Sequence, residues 1–130
     1  MSIELMTLVV CAFLSLALPL FYGALYSRQV GMATVTGNRE NAPEPQGVAG
    51  RALRAHRNLI ENLVPYAAVV LAVHAQGISN AYTVGAAWVF LVARIVHTLS
   101  YVGGVTGLRT LAWNVGLVAT VVIGLQFFLH

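Results

Sequence analysis

Four apolar runs, at residues 3–26, 48–76, 81–102 and 108–128, take up most of this 130-residue chain. Each is close to or above the about 20 residues that span the hydrocarbon core of a bilayer as a helix. Only 8% of the residues are charged and 58% are hydrophobic, against about 25% charged in a soluble domain. A chain built this way is predicted to be all-α, a single four-span membrane bundle, because in lipid each backbone polar group must be satisfied within its own helix. The first run is read as a retained helix rather than a signal peptide, since Glu4 stands where a basic n-region would be. Its single cysteine, Cys11, excludes an intramolecular disulfide and reads as a small apolar helix residue.

The placement of charge sets an orientation. There is no lysine, and the seven arginines are Arg28, Arg39, Arg51, Arg54, Arg57, Arg94 and Arg109. With four spans they all fall on one side of the membrane, so the positive-inside rule places loops one and three in the cytoplasm and both termini outside. The formal charge of +3 therefore reports topology, and nucleic-acid binding is excluded for want of a soluble basic surface. The one long connection, residues 29–46, contains Gly31, Gly37, Asn38, Asn41, Pro43 and Pro45 and is read as turn-rich and non-helical. Span two starts near Gly47 to Arg51, and Pro65 inside it predicts a kink over 62–65.

Within span two, Arg54, Arg57, Asn58 and Glu61 recur at i, i+3, i+4 and i+7 and stack on one helix face. A charge at the middle of a membrane helix costs about 2.5–3.5 kcal/mol. Pairing of Glu61 with Arg57 and snorkelling of the arginines toward the interface account for part of the row. They do not explain why an amide and a carboxylate share the arginines' face. Span three repeats the pattern with Arg94, His97 and Tyr101 at i, i+3 and i+7, and Arg109 follows just past the next turn. Topology places both rows in the same half of the membrane, so a pocket between helices collects guanidiniums, an imidazole, a phenol, an amide and one carboxylate. Guanidinium forks take carboxylates and Glu61 takes an ammonium, an inventory suited to a zwitterionic, peptide-like ligand.

Arg54, Arg57, Asn58 and Glu61 followed by Pro65, then Arg94, His97 and Tyr101, then Arg109, resemble the pattern of the MAPEG family, the membrane-associated proteins of eicosanoid and glutathione metabolism. The loop from Gly37 to Glu40 resembles that of its bacterial members. This resemblance implies a four-helix protomer in a homotrimer, in the inner membrane of a bacterium, with glutathione as cosubstrate bound between subunits near the cytoplasmic side. It implies that Arg51, Arg54, Arg57, Asn58, Glu61, Arg94, His97 and Tyr101 hold glutathione. It further implies that Arg109 stabilises the thiolate, with Arg28 as a second arginine at the thiol. A thiol of pKa about 8.5 is mostly protonated at neutral pH, and an adjacent guanidinium raises its nucleophilic fraction. Lipophilic electrophiles would arrive from the surrounding membrane lipids. The implied activity is that of a glutathione transferase or peroxidase. The alternative is a noncatalytic subunit serving a larger membrane complex; enzymatic eukaryotic relatives often carry an acidic or cysteine-type residue after the motif asparagine, where this chain has Leu59. A channel is disfavoured, because one polar cluster makes no transmembrane path.

The remaining polar and aromatic residues are read as structural. His56 lies about 200 degrees from Arg54 around the helix, and His74 and His130 have no partner in view. No motif points to haem or metal. Trp88 reads as packing or lipid-facing, Trp113 as nearer an interface, and Gly85, Ala86, Ala87 and Ala93 as small residues that let helices approach closely.

Overall fold

A computed structural model describes residues 1–130 and contains five helices and no strand: α1 (Ile3–Val30), α2 (Met32–Thr36), α3 (Gly47–Ala75), α4 (Ala81–Gly103) and α5 (Thr106–Leu129). All four long helices are long and apolar enough to cross a membrane. Their surfaces are greasy: Phe13, Leu16, Leu20, Val64, Leu99, Phe128 and Leu129 all stand exposed. In water such a surface would aggregate, whereas in a bilayer it faces its natural solvent. The expected four-span, all-α chain is what the structure contains.

One local expectation changes. The connection after α1 was expected to be non-helical from residue 29, yet α1 runs to Val30 and a further turn of helix, α2, follows. Gly31, at φ 86°, breaks the helix between them, and prolines appear only from Pro43 onward, too late to prevent a second start. The connection is tied down at two points. Tyr26 donates its hydroxyl to the Pro43 carbonyl at 2.5 Å. The Gln29 side chain both donates to the Gln46 carbonyl and accepts from the Gln46 N–H, at 2.9 and 3.1 Å. At Pro65, inside the second span, α3 continues to Ala75. The missing N–H frees the Glu61 carbonyl without ending the helix.

In the bundle α3 packs against α1, α4 and α5, and α4 packs against α1, α3 and α5, while α1 and α5 do not touch. The α3–α4 seam is therefore the centre of the protomer. Its middle layer is apolar, with the Tyr66 and Phe90 rings stacked 3.6 Å apart and 2° from parallel. Val70, Val73, Ala87, Cys11 and Ile123 close around them. Ala86, Ala87 and Ala93 are buried as small packing residues should be, but Gly85 faces outward, with open space where a Cβ would stand. The close helix approach thus rests on the alanines. Trp88 is exposed on the lipid-facing surface and Trp113 is half-buried.

Polar interlocks lie on either side of that layer. At the end distant from the arginines, Glu4 is buried and its Oε1 accepts from Thr83 Oγ1 at 2.6 Å and from Ser79 Oγ at 2.9 Å. Thr7 and Tyr66 share a hydroxyl contact at 2.7 Å, and Asn80 donates to Gln126 at 2.9 Å. These bonds join the start of α1 to the α3–α4 turn and that turn to the end of α5. Hydrogen bonds to a charged group contribute about 1.5–3 kcal/mol each. Glu4→Ala, which removes two, is therefore expected to lower unfolding stability by about 3 kcal/mol or more, and Ser79→Ala, at an exposed serine, by about 1.5 kcal/mol; denaturant titration of the purified protein in detergent checks both, and an unchanged Glu4→Ala midpoint would remove Glu4 from the stabilising set.

Candidate functional site

The arginines gather at the opposite end of the bundle, and there the α3 row divides. Arg54, Arg57 and Glu61 stand exposed, whereas Asn58 is half-buried and turned toward α4. The division follows from the 100° step of the helix: Asn58 lies on the side of the row nearer α4, and Arg57 on the other edge. Arg57 lines a cleft of about 420 Å³ between α1, the long connection and α3, together with Tyr22, Tyr26, Arg39, Glu44 and Pro45. Arg54 packs back over Gly50, where an added Cβ would meet its Nη1 at 3.3 Å.

Asn58 meets Arg94, whose Nη1 donates to Asn58 Oδ1 at 3.2 Å. Arg94 has no exposed surface at all. Its guanidinium lies against Gly116 of α5, where an added Cβ would sit 3.2 Å from Nη2 and 3.3 Å from Nε, and it reaches over the Phe90 ring at 5.8 Å. Nε and Nη2 have no hydrogen-bond partner. One turn on, His97 is buried with Nδ1 unpartnered, and its ring meets Tyr101 edge-on at 5.6 Å. Tyr101 in turn lies under the Arg109 guanidinium, 4.5 Å from the ring centre, a cation–π contact. Asn58, Arg94, His97, Tyr101 and Arg109 thus form a continuous polar column through α3, α4 and the first turn of α5. The column has no carboxylate of its own. Of the four acids in the chain, Glu4 is at the far end, Glu40 and Glu44 are in the connection, and only Glu61 stands on α3.

The turn that delivers Arg109 is built by Gly104, which ends α4 at φ 79° and ψ 18° and donates to Ser100 and Tyr101. This left-handed cap lets α5 start at Thr106, so Arg109 reaches back over Tyr101 within one turn. Arg51 is placed differently from the other arginines: its Nε donates to the Val102 carbonyl at 2.9 Å, a cation capping the C-terminal end of α4. Arg28 is exposed in the last turn of α1, beside a recess of about 430 Å³ shared with Gln46, Gly47 and Val48. Because α1 and α5 do not touch, one protomer does not bring Arg28 and Arg109 together. His56 sits against the Tyr22 ring at 5.7 Å and faces the Ser15 carbonyl, which Pro19 leaves without its helical donor. That is a structural place.

Two residues were missed in the sequence. Asn62 donates to both the main-chain carbonyl and Oδ1 of Asn58, at 2.8 and 3.2 Å; its i+4 spacing from Asn58 was a readable signal. Gly116 makes room for the Arg94 guanidinium, and nothing in the primary sequence ties a glycine of the last span to an arginine of the third. An apolar groove of about 340 Å³ runs between α4 and α5, lined by Val89, Val92, Val96, Leu108, Leu111 and Val115 and not by Arg109.

Among known proteins, the MAPEG family profile matches residues 5–129, nearly the whole chain. No curated protein matches it.

The Gly116 contact can be tested directly. Gly116→Leu drives a side chain into the guanidinium's place, an overpacking change that costs about 1–3 kcal/mol. Gly107→Ala in the same helix meets open space and is expected to leave stability unchanged or raise it by up to about 1 kcal/mol. Thermal unfolding of the two variants beside wild type measures the contrast.

Proposed function

Because this chain belongs to the MAPEG family, which includes glutathione-dependent transferases and peroxidases as well as noncatalytic members, we propose that it binds glutathione and uses its thiolate to attack lipophilic electrophiles that enter from the bilayer. The observation that carries this reading is the continuous column from Asn58 to Arg109, rich in cationic groups and lacking an internal carboxylate. A cationic site in a low-dielectric surround favours an anionic ligand strongly.

In this reading the exposed Arg54 and Arg57 take the carboxylates of glutathione and Glu61 takes its ammonium. His97 and Tyr101 line the middle of the site. Arg109, held over Tyr101 at 4.5 Å, is assigned in this reading to stabilise the thiolate: the S–H proton is lost to solvent, and the sulfur lone pair attacks the electrophile, whose leaving group or opened ring takes up the displaced electrons. Arg28 contributes from a neighbouring protomer, which is the role for it that fits the separation of α1 and α5. A homotrimer in the cytoplasmic membrane of a bacterium, with this end toward the cytoplasm, completes the reading. The outward-facing α3 row supports such an assembly, since charged groups exposed within a membrane span need a polar partner. The apolar groove between α4 and α5 supports contact with a hydrophobic substrate from the lipid.

The test is thermal unfolding in detergent with and without glutathione. At a concentration one hundred times Kd, binding stabilises the native state by about 2.7 kcal/mol. Glu61→Ala should abolish that stabilisation. Arg109→Ala should retain binding and lose conjugation to a model electrophile by about 100-fold or more. Wild type that gains no stability from millimolar glutathione would overturn the reading, and binding without turnover in wild type would favour a noncatalytic subunit of a larger membrane complex.

A further inference from the structure

The least accessible member of the column is Arg94, which is 0% exposed and clamped by Gly116 on one side and Asn58 on the other. It cannot touch a ligand outside the protomer without leaving this seat. A guanidinium has five N–H donors and no acceptor, so the Asn58 atom facing it must be the amide oxygen. Asn62 makes the same demand independently, placing its Nδ2 3.2 Å from that oxygen. A flipped Asn58 would set its own N–H groups against two donors and strip the buried guanidinium of its one hydrogen-bond acceptor. The orientation of this amide is therefore decided by chemistry and not by the shape of the side chain, which is nearly the same either way.

We infer that Arg94 is a positioning residue that acts through Asn58: it holds the amide oxygen inward and so presents the Asn58 Nδ2 hydrogens outward, as donors, to an acceptor oxygen of the ligand. The inference rests on the glutathione reading for the identity of that ligand, and it fixes the polarity of one contact. Asn58 is half-buried at the edge of the exposed row, where its two free N–H groups suit a carboxylate or peptide carbonyl oxygen. Three residues on, Glu61 offers only acceptors while ionised, so the two neighbours are complementary in sign. Arg94 has nothing to add by contact; its effect is to keep Asn58 from turning.

A double-mutant cycle on the full chain, reconstituted in nanodiscs with glutathione as the probe, tests this. Asn58→Asp keeps an acceptor for Arg94 and removes the outward donors; glutathione affinity should fall at least tenfold with no loss of melting temperature. Arg94→Met should weaken glutathione binding by a similar factor in the wild-type background and by nothing further in an Asn58→Ala background, while its melting temperature does not fall, since a well-packed apolar replacement for a buried charge is neutral or stabilising. Arg94→Lys, which keeps one donor for Asn58, should recover part of the affinity and carries the same cycle if Arg94→Met does not fold. Additive losses across the cycle, or Arg94→Met binding glutathione as wild type does, would overturn the inference. The Asn58 side-chain amide resonances of the 15N-labelled protein supply a readout that needs no ligand. They should shift on Arg94→Met, and unmoved resonances overturn the inference too. Shifted resonances in a wild-type protein that binds no glutathione would uphold the Arg94–Asn58 arrangement and overturn the glutathione reading.

Discussion

The contact of α3 with α4 is what the rest of the protomer depends on. Both helices touch every other long helix, whereas α1 and α5 meet only through them. At the centre of the seam the Tyr66 and Phe90 rings lie face to face, an aromatic pair whose attraction is short-ranged and demands close approach. In a bilayer there is no hydrophobic drive to bring helices together, because lipid tails are as apolar as the side chains they would replace. Packing and polar contacts must supply the association. The seam has both, with apolar stacking in the middle, a carboxylate held by hydroxyls toward one end and a guanidinium held by an amide toward the other.

Both polar interlocks leave buried atoms without partners, though to different extents. Around Glu4, Oε1 is bonded to two hydroxyls while Oε2 has no partner, and the network fastens α1 to the α3–α4 turn. Around Arg94 more is unmade, with two guanidinium nitrogens and His97 Nδ1 lacking partners. A buried charge with unmade hydrogen bonds is costly to keep. Its retention is easier to understand if the column exists to hold something than if it exists to hold the helices. Membership of the MAPEG family gives that argument a direction, and the proposed glutathione site gives it a chemistry.

Much of this was legible beforehand. The four spans were visible as apolar runs within a few residues of their observed ends, since hydropathy and length suffice where the solvent is lipid. The shared faces of Arg54, Arg57, Asn58 and Glu61, and of Arg94, His97 and Tyr101, follow from helical period alone. Helical period says which residues share a face but not which way that face points. So the sequence pattern could not tell that Arg94 is sealed inside the protomer or that Arg51 caps the end of α4. The short helix α2 is hidden in the sequence because its two ends, Gly31 and Gly37, lie in a segment rich in turn-forming residues throughout, while Met32 to Thr36 between them carry no break.

The amino-acid sequence by itself determined that the chain is a four-span helical membrane protein, which residues share a helix face, and that its arginines gather at one end. These are consequences of hydropathy, helix geometry and topology, each of which is local or nearly so. Only the tertiary structure decided that Asn58 turns toward α4 while Arg57 faces the cleft by α1, that Gly116 seats the Arg94 guanidinium, and that Arg109 comes to rest over Tyr101. Those outcomes depend on how one helix is rotated against another. That rotation is set by the summed packing of side chains distant in sequence, and no single segment contains it.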